Sequence, residues 1–357
     1  MDGPVIEGAP TSVSAVVGTH REPLAGRVRS FEEFLELLGA EPGSTGLALQ
    51  GSPGALALAV HGFFANGGTE LHVLGVPSEA EVAAAVRSVP DLPRVALLAA
   101  PGHTSPAVHA ALVQAAASRP GLFAVLDPPP SLDLDGLLDW RRDAPKGAAA
   151  VYAPWVVVEH GGREVIAPPS GHVLGVLARL SRTRGVWKAP AGIDASVRGV
   201  VRREQELGDA DQALLHPEGV NVLRTFPSAG VVVWGATTGG GVGPSRHIAT
   251  VRLLSWLARS LDLGTKWVAE HESGEALWAA VRRSIGAFLA EVHREGGLAG
   301  TRPEEAFVVR CDRTTMTPAD LAAGRLVALV GVAVSRPGAF VYLRMLQVTR
   351  EGSTPSP

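Results

Sequence analysis

The stretch RVALLAAPGHTSPAVHAALVQAAASRPGLFAVLDPPP (94–130) decides the fold class. It opens on a buried-strand signal, RVALLAA (94–100). Ser105 then offers an N-cap with Pro106 at the first helical position, and helical spacing continues through Arg119. A second apolar run, LFAVLD, stops at three prolines, Pro128 to Pro130, which lack the N–H a sheet ladder needs. Strand, helix and strand in succession imply a crossover, and crossovers of this kind build largely parallel sheets covered by helices.

The same alternation extends in both directions. Toward the N-terminus, Ser30 with Glu33 and Ser78 with Glu81 have capping-box spacing ahead of FEEFLELL and VAAAVRSV, and Gly39 closes the first of these helices. Between them ALALAVHGFFANGG has helical spacing and LHVLGV reads as a buried strand. Toward the C-terminus a short helix is expected near LDLDGLLDW and one strand over AAAVYAPWVVV. GVVVWGATT (230–238) reads as a strand, HIATVRLLSWLARSL as a helix and KWVAE as a short strand. The longest helix is ALWAAVRRSIGAFLAEVHREGG, with Leu277, Val281, Ile285, Phe288 and Val292 on one stripe. AFVVRC is extended, Thr317-Pro318 starts a helix, and RLVALVGVAV and AFVYLRMLQV are extended. The fold class is therefore α/β, or mixed α+β, in two domains with helix-covered sheets, the boundary falling near residue 205 before the acid-rich REQELGDADQ.

Composition narrows the function. With 46% hydrophobic and 19% charged residues in a chain of 357, this is an ordinary folded polypeptide, and Gly (42) plus Pro (27) stay below the roughly 25–30% at which disorder becomes the default. A net charge of -3 argues against coating nucleic acid or an anionic membrane. The single Cys311 forms neither an internal disulfide nor a thiolate cage, and its place at the end of an apolar strand suits a buried, inert thiol. MDGPVIEGAP has neither the basic nor the apolar region of a signal peptide, and no stretch reaches the ~18 apolar residues of a membrane span.

Catalytic motifs are missing. GGGVG (239–243) lacks the dinucleotide spacing, no phosphate-loop sequence occurs, and Gly264-Thr265-Lys266 lacks that motif's first glycine. His61, His72, His103 and His109 do not have the i, i+4 spacing of a helical zinc pair. A triad of Ser170, His172 and Asp194 can be drawn, yet no G-x-S-x-G elbow surrounds a serine, and helix capping explains Ser170 as well. Arg179, Arg182, Arg184 and Lys188 form the densest basic cluster, fit for phosphate or for a plain charged face. No catalytic, cofactor or metal residues are assigned.

The C-terminus carries more signal. Val341, Leu343 and Met345 alternate with Tyr342, Arg344 and Leu346, and Gln347 and Val348 complete the run before the polar tail EGSTPSP. Such a strand either closes its own sheet or is offered to a neighbouring subunit.

Seven strings, in order, resemble the contractile tail sheath family of phage tails, R-type pyocins and contractile injection systems. They are GAPTSVSAVVG (8–18), HGFFANGGTELHVLGV (61–76), YAPWVVV (152–158), PPSGHVLGVLARLSRTRGVWKAPAG (168–192), GVNVLRTFPSAGVVVWGATT (219–238), GTKWVAEHESGEALWAAVRRSIGAFL (264–289) and FVVRCDRTTMTPADLAAGRLVALVGVAVSRPGAFVYLRMLQ (307–347). The resemblance implies a non-enzymatic subunit, assembled in the bacterial cytoplasm as hexameric rings around an inner tube, with baseplate and terminator proteins and paralogous sheath chains as further partners. It also implies a particle that leaves the cell, with no nucleic acid bound and no membrane insertion. Under it residues 1–18 are a short arm and the first strand of an inner domain, 19–205 an outer domain, 206–337 the tube-facing inner domain, and 338–357 a linking strand and tail. Val341 to Val348 would link subunits, Val5 and Ile6 would belong to the arm, and Arg282, Arg283 and Arg294 would face the tube. Sheath arms are usually longer than the ten residues before Thr11, which span at most about 35 Å. The departure leaves three readings: a mesh resting mainly on the C-terminal strand, a sheath paralogue in a specialised position such as a static cap or collar, or a sequence that starts late. The alternative from a different class is an α/β hydrolase using Ser170 and His172.

Overall fold

The structure, a computed structural model, describes residues 3–39, 54–240 and 243–350. In chain order the elements are β1 (Ser14–Thr19), β2 (Leu24–Val28), α1 (Phe31–Leu37), α2 (Ala55–Ala65), β3 (Leu71–Val76), α3 (Glu79–Ser88), β4 (Leu97–Ala99), α4 (Pro106–Ser118), β5 (Phe123–Leu126), α5 (Leu134–Asp143), β6 (Ala149–Ala153), β7 (Val156–His160), β8 (Arg163–Ala167) and α6 (Ser170–Arg184). They continue with β9 (Arg202–Arg203), α7 (Asp209–Leu215), β10 (Val220–Phe226), β11 (Gly230–Trp234), α8 (Ile248–Gly264), α9 (Glu275–Arg294), α10 (Pro303–Ala306), β12 (Phe307–Arg310), α11 (Pro318–Ala322), β13 (Arg325–Ala333) and β14 (Phe340–Val348).

The chain forms two compact units, Pro10–Arg252 and Met1–Ala9 with Leu253–Pro357. The larger unit holds an eight-stranded sheet in the order β11-β10-β6-β5-β4-β1-β3-β2. Its interior pairs are parallel and its two edge pairs, β2–β3 and β10–β11, antiparallel. Alternate residues feed separate cores: Val16, Leu97, Phe123 and Val125 pack in one, Ala15, Val17, Leu98, Ala124 and Leu126 in the other. A sheet covered on both faces needs apolar residues at nearly every strand position, which is why these strands read as continuous apolar runs. A smaller antiparallel sheet, β8-β7-β9, belongs to the same unit.

The smaller unit is built on an antiparallel sheet, β12-β13-β14, with α9, α10 and α11 and the greater part of α8. The α9 stripe Leu277, Val281, Ile285, Phe288 and Val292 is buried, as its spacing predicts.

Several local expectations change. AAAVYAPWVVV is two strands, not one, because Pro154 has no N–H with which to continue the ladder. KWVAE is a tight 3-10 turn, with Val268 N donating to Thr265 O and His271 N to Val268 O. Thr265 and Val268 are its buried residues, three apart, a spacing that suits a turn and not a strand. At α1, Ser30 Oγ accepts from Glu33 N at 3.1 Å, while the Glu33 carboxylate reaches back to Arg29 N at 2.7 Å, one residue beyond a regular box. Ser78 donates its hydroxyl to Glu81 and caps no backbone group.

The compact units also divide elsewhere than at residue 205. β10 pairs in parallel with β6, Val220 opposite Val151, so residues beyond 205 extend the large sheet. β1 lies inside that sheet between β3 and β4 and is not a strand of the unit that carries the termini. The division falls within α8, between Arg252 and Leu253.

Candidate assembly surface

In open α/β sheets, ligands bind beyond the carboxyl ends of the strands where the winding reverses. Here that point lies beside β1, between β3 and β4, and the chain fills it with its own groups. Thr19 N donates to His103 Nε2 at 3.3 Å, while His103 Nδ1 contacts Glu79. Gly18 leaves room for Leu56, whose Cβ would lie 3.2 Å from an added methyl. Asp127, just past β5, receives Ser170 N at 2.9 Å, Ser170 Oγ at 2.6 Å and Gly102 N at 3.1 Å. It thereby caps α6, whose preceding residue Pro169 has no capping side chain. Burial pushes the Asp127 carboxyl up to about 6, against the pull of those three donors.

The Ser170–His172–Asp194 arrangement is not assembled. Ser170 gives its proton to Asp127, both ring nitrogens of His172 lack a partner, and Asp194 pairs with Arg184 at the surface at 2.8 Å. A serine nucleophile needs its hydroxyl on a base with access to substrate, and Ser170 is completely buried. The glycine loop has a packing role. Arg141, buried, donates to Glu218 O, Ala144 O and Gly239 O at 3.0, 3.0 and 2.9 Å, and a Cβ on Gly239 would lie 1.4 Å from its guanidinium. Arg179 is spent on Asn66 O and Ser196 O, and Arg182 on Gly67 O. Burial holds the Cys311 thiol up at about 12, so it remains protonated. Among the described residues no group of three or more metal-binding side chains comes together, and no helix is long and apolar enough to cross a membrane.

Within the smaller unit the terminal segments form a different kind of surface. β14 pairs with β13 over all nine of its residues, Phe340 opposite Ala333 through Val348 opposite Arg325. It is the end strand of its sheet, so its second edge has no strand beside it among the described residues. Its faces alternate as the sequence predicts. Met345 is buried against Thr265, and Gln347 donates to Asp262 O at 3.1 Å. Tyr342 (54%), Leu346 (42%) and Val348 (53%) stay exposed, flanking Arg344. Beyond the strand, Thr349 N donates to Gly324 O and Arg350 N to His271 O, a clamp that no sequence spacing announces.

The N-terminal segment runs along α8 and α9 of the same unit. Trp256 Nε1 donates to Ala9 O at 2.8 Å, Ala9 N donates to Ser260 Oγ at 2.9 Å, and Ser284 Oγ donates to Pro4 O. Gly3 and Gly8 lie where a Cβ would meet Trp267 and Trp256 at 2.8 Å. Ile6 is buried and Val5 is 88% exposed, so the arm's apolar pair divides between core and solvent. Of the three expected tube-facing arginines, Arg282 donates to Cys311 O, Arg294 pairs with Glu291, and Arg283 is exposed.

The α/β crevice is filled by the chain's own groups, the edge of the terminal sheet is open among the described residues, and the proteins this chain is similar to are sheath proteins. Residues 75–238 match the phage tail sheath protein central domain. A Pseudomonas aeruginosa (strain UCBPP-PA14) chain named as a prophage major tail sheath protein is 22% identical over 238 residues, covering 64% of this chain and 59% of that one. The sheath of the extracellular contractile injection system PVC, solved in its contracted state, is 26% identical with a TM-score of 0.78 over 97% of this chain and 96% of that one. The contracted helical sheath of the anti-feeding prophage gives 26%, 0.76 and the same coverage. The chain is thus similar to contractile sheath proteins along nearly its whole length in structure, and to the phage tail sheath central domain over residues 75–238.

Proposed function

We propose that this chain is the sheath subunit of a contractile injection system or phage-tail-like particle, stacking as hexameric rings around an inner tube and shortening to drive that tube through a target envelope. The work then comes from re-docking of subunits. Assembly takes place in the bacterial cytoplasm, with baseplate, terminator and inner-tube proteins as partners and paralogous sheath chains sharing the lattice. The unit with both terminal segments, Met1–Ala9 and Leu253–Pro357, is the tube-facing one, and Pro10–Arg252 is the outer one.

The observation that carries this reading is the length of the open edge. The other edge strands, β2, β8, β9, β11 and β12, have two to five residues, whereas β14 has nine. Long apolar edges invite pairing and are normally blunted. Nine residues span about 30 Å, and each added backbone hydrogen bond contributes about 1 kcal/mol net, so one contact is modest and a lattice of them is strong. Electron microscopy of the purified chain should show rings or tubes, and the chain lacking residues 339–357 should show none. A wild-type chain that stays monomeric under all assembly conditions contradicts the proposal.

A further inference from the structure

α2 and α6 pack at unusually close range. A Cβ on Gly171 would lie 2.3 Å from Ala59 Cα, and one on Gly175 would lie 2.4 Å from Phe63 O. Between these contacts the His172 ring projects from α6 onto Gly62 of α2, where a Cβ would meet Nδ1 at 2.5 Å. The ring is buried, and neither nitrogen has a hydrogen-bond partner. Neutral imidazole already leaves one donor and one acceptor unmet there. Imidazolium would leave two donors and a charge, with no room for water between helices this close.

The surrounding charges offer no relief. His61, one residue before Gly62, is the titratable neighbour that acts on His172, and it is itself held below its ordinary value by burial and then by the like charge of His160 of β7. Asp127, at the start of α6, is engaged by Ser170 and Gly102. On the other elements packed against the pair, Glu32, Glu33 and Glu36 of α1, Arg163 and Glu164 of β8, and Asp194 are all exposed. On α6 itself, Arg179, Arg182 and Arg184 would repel an imidazolium. His61 also contacts Phe31 edge-on at 5.0 Å, which ties α1 to the same pair.

We propose that the α2–α6 contact is an acid-sensitive latch: a proton taken up by His172 separates the two helices locally, before the rest of the larger unit unfolds. Burial and the nearby His61 hold the His172 imidazole down at about 4, so the latch stays closed at neutral pH. With an ordinary histidine value of about 6.5 in the opened state, the opening equilibrium should rise about 70-fold between pH 7.5 and 4.5.

Hydrogen exchange of the full-length protein, corrected for the intrinsic pH dependence of exchange, reads this directly. Amides of α2 and α6 should show that increase while those of α3 and α9 do not. His172→Leu should abolish the increase and His61→Gln should retain it. An increase shared equally by α3 and α9, or none in α2 and α6, overturns the proposal. Should the leucine variant fail to fold, an NMR titration of His172 in the wild-type chain decides: a midpoint near 4 supports the latch, and one near 6.5 overturns it.

Discussion

The eight-stranded sheet of the larger unit and the three-stranded sheet of the smaller one use the same ladder chemistry and end differently. The large sheet has helices and apolar cores on both faces, and its edge strands, β2 and β11, are five residues each. The small sheet ends in nine residues of β14, with Tyr342, Leu346 and Val348 exposed. A covered sheet with short edges is a finished core. A sheet that ends in a long edge strand is open to a further strand, which under the proposed function another chain supplies.

The comparison can be broken at the finished core. Arg141→Met leaves the carbonyls of Ala144, Glu218 and Gly239 without their donor, and should destabilise the chain by about 3–5 kcal/mol in denaturant unfolding. An unchanged midpoint would show that the loops do not need this clamp. At the unfinished edge the opposite pattern is expected: Leu346→Asp should shift stability by less than about 1 kcal/mol, since the side chain is exposed, yet prevent polymerisation. Comparable losses of both properties would place Leu346 in the fold's own core.

Acid sharpens the contrast further. His109 and His172 are held down at about 4, so their contribution is present above the unfolded value of 6.5 and is lost as pH falls through 4. Asp127, raised to about 6, runs the other way: its cost appears as pH rises from 3.8 through 6. Between about pH 4 and 6 the unfolded state thus binds one proton more than the native state from these three groups, which together contribute a fall in stability of about 1.4 kcal/mol per pH unit on acidification, and the lowered His61, His72 and His216 act in the same direction. Asp127→Asn removes the opposing group and should make that slope steeper; an unaltered slope would show that Asp127 is ionised throughout. Ser30→Ala removes the hydroxyl cap of α1 and should lower stability by about 1 kcal/mol, with no effect on polymerisation.

What the sequence revealed and concealed follows from the range of the interactions. The alternation of strands and helices, the α9 stripe and the alternating faces of β14 were legible, because each is a periodicity over neighbouring residues. Unit membership was not: β10 joins β6 and β1 enters the middle of the sheet through pairings that leave no local pattern. The same holds for Asp127, which caps α6 from 43 residues away. Ser170 and His172 looked suggestive only because they are close in sequence; two apart on a helix, they do not share a face. Of the residues proposed for assembly, the strand's exposed stripe was readable, whereas the commitments of Arg282 to Cys311 O and Arg294 to Glu291 depend on the folded geometry.

The most direct test of the account is residue-resolved hydrogen exchange across β14 in the isolated subunit and in the polymer. Amides of 341–348 that point away from β13 should exchange freely in the subunit and become protected on assembly, while those bonded to β13 stay protected in both. Identical exchange along the strand in both states would mean that this edge meets no partner, and the central claim would be wrong.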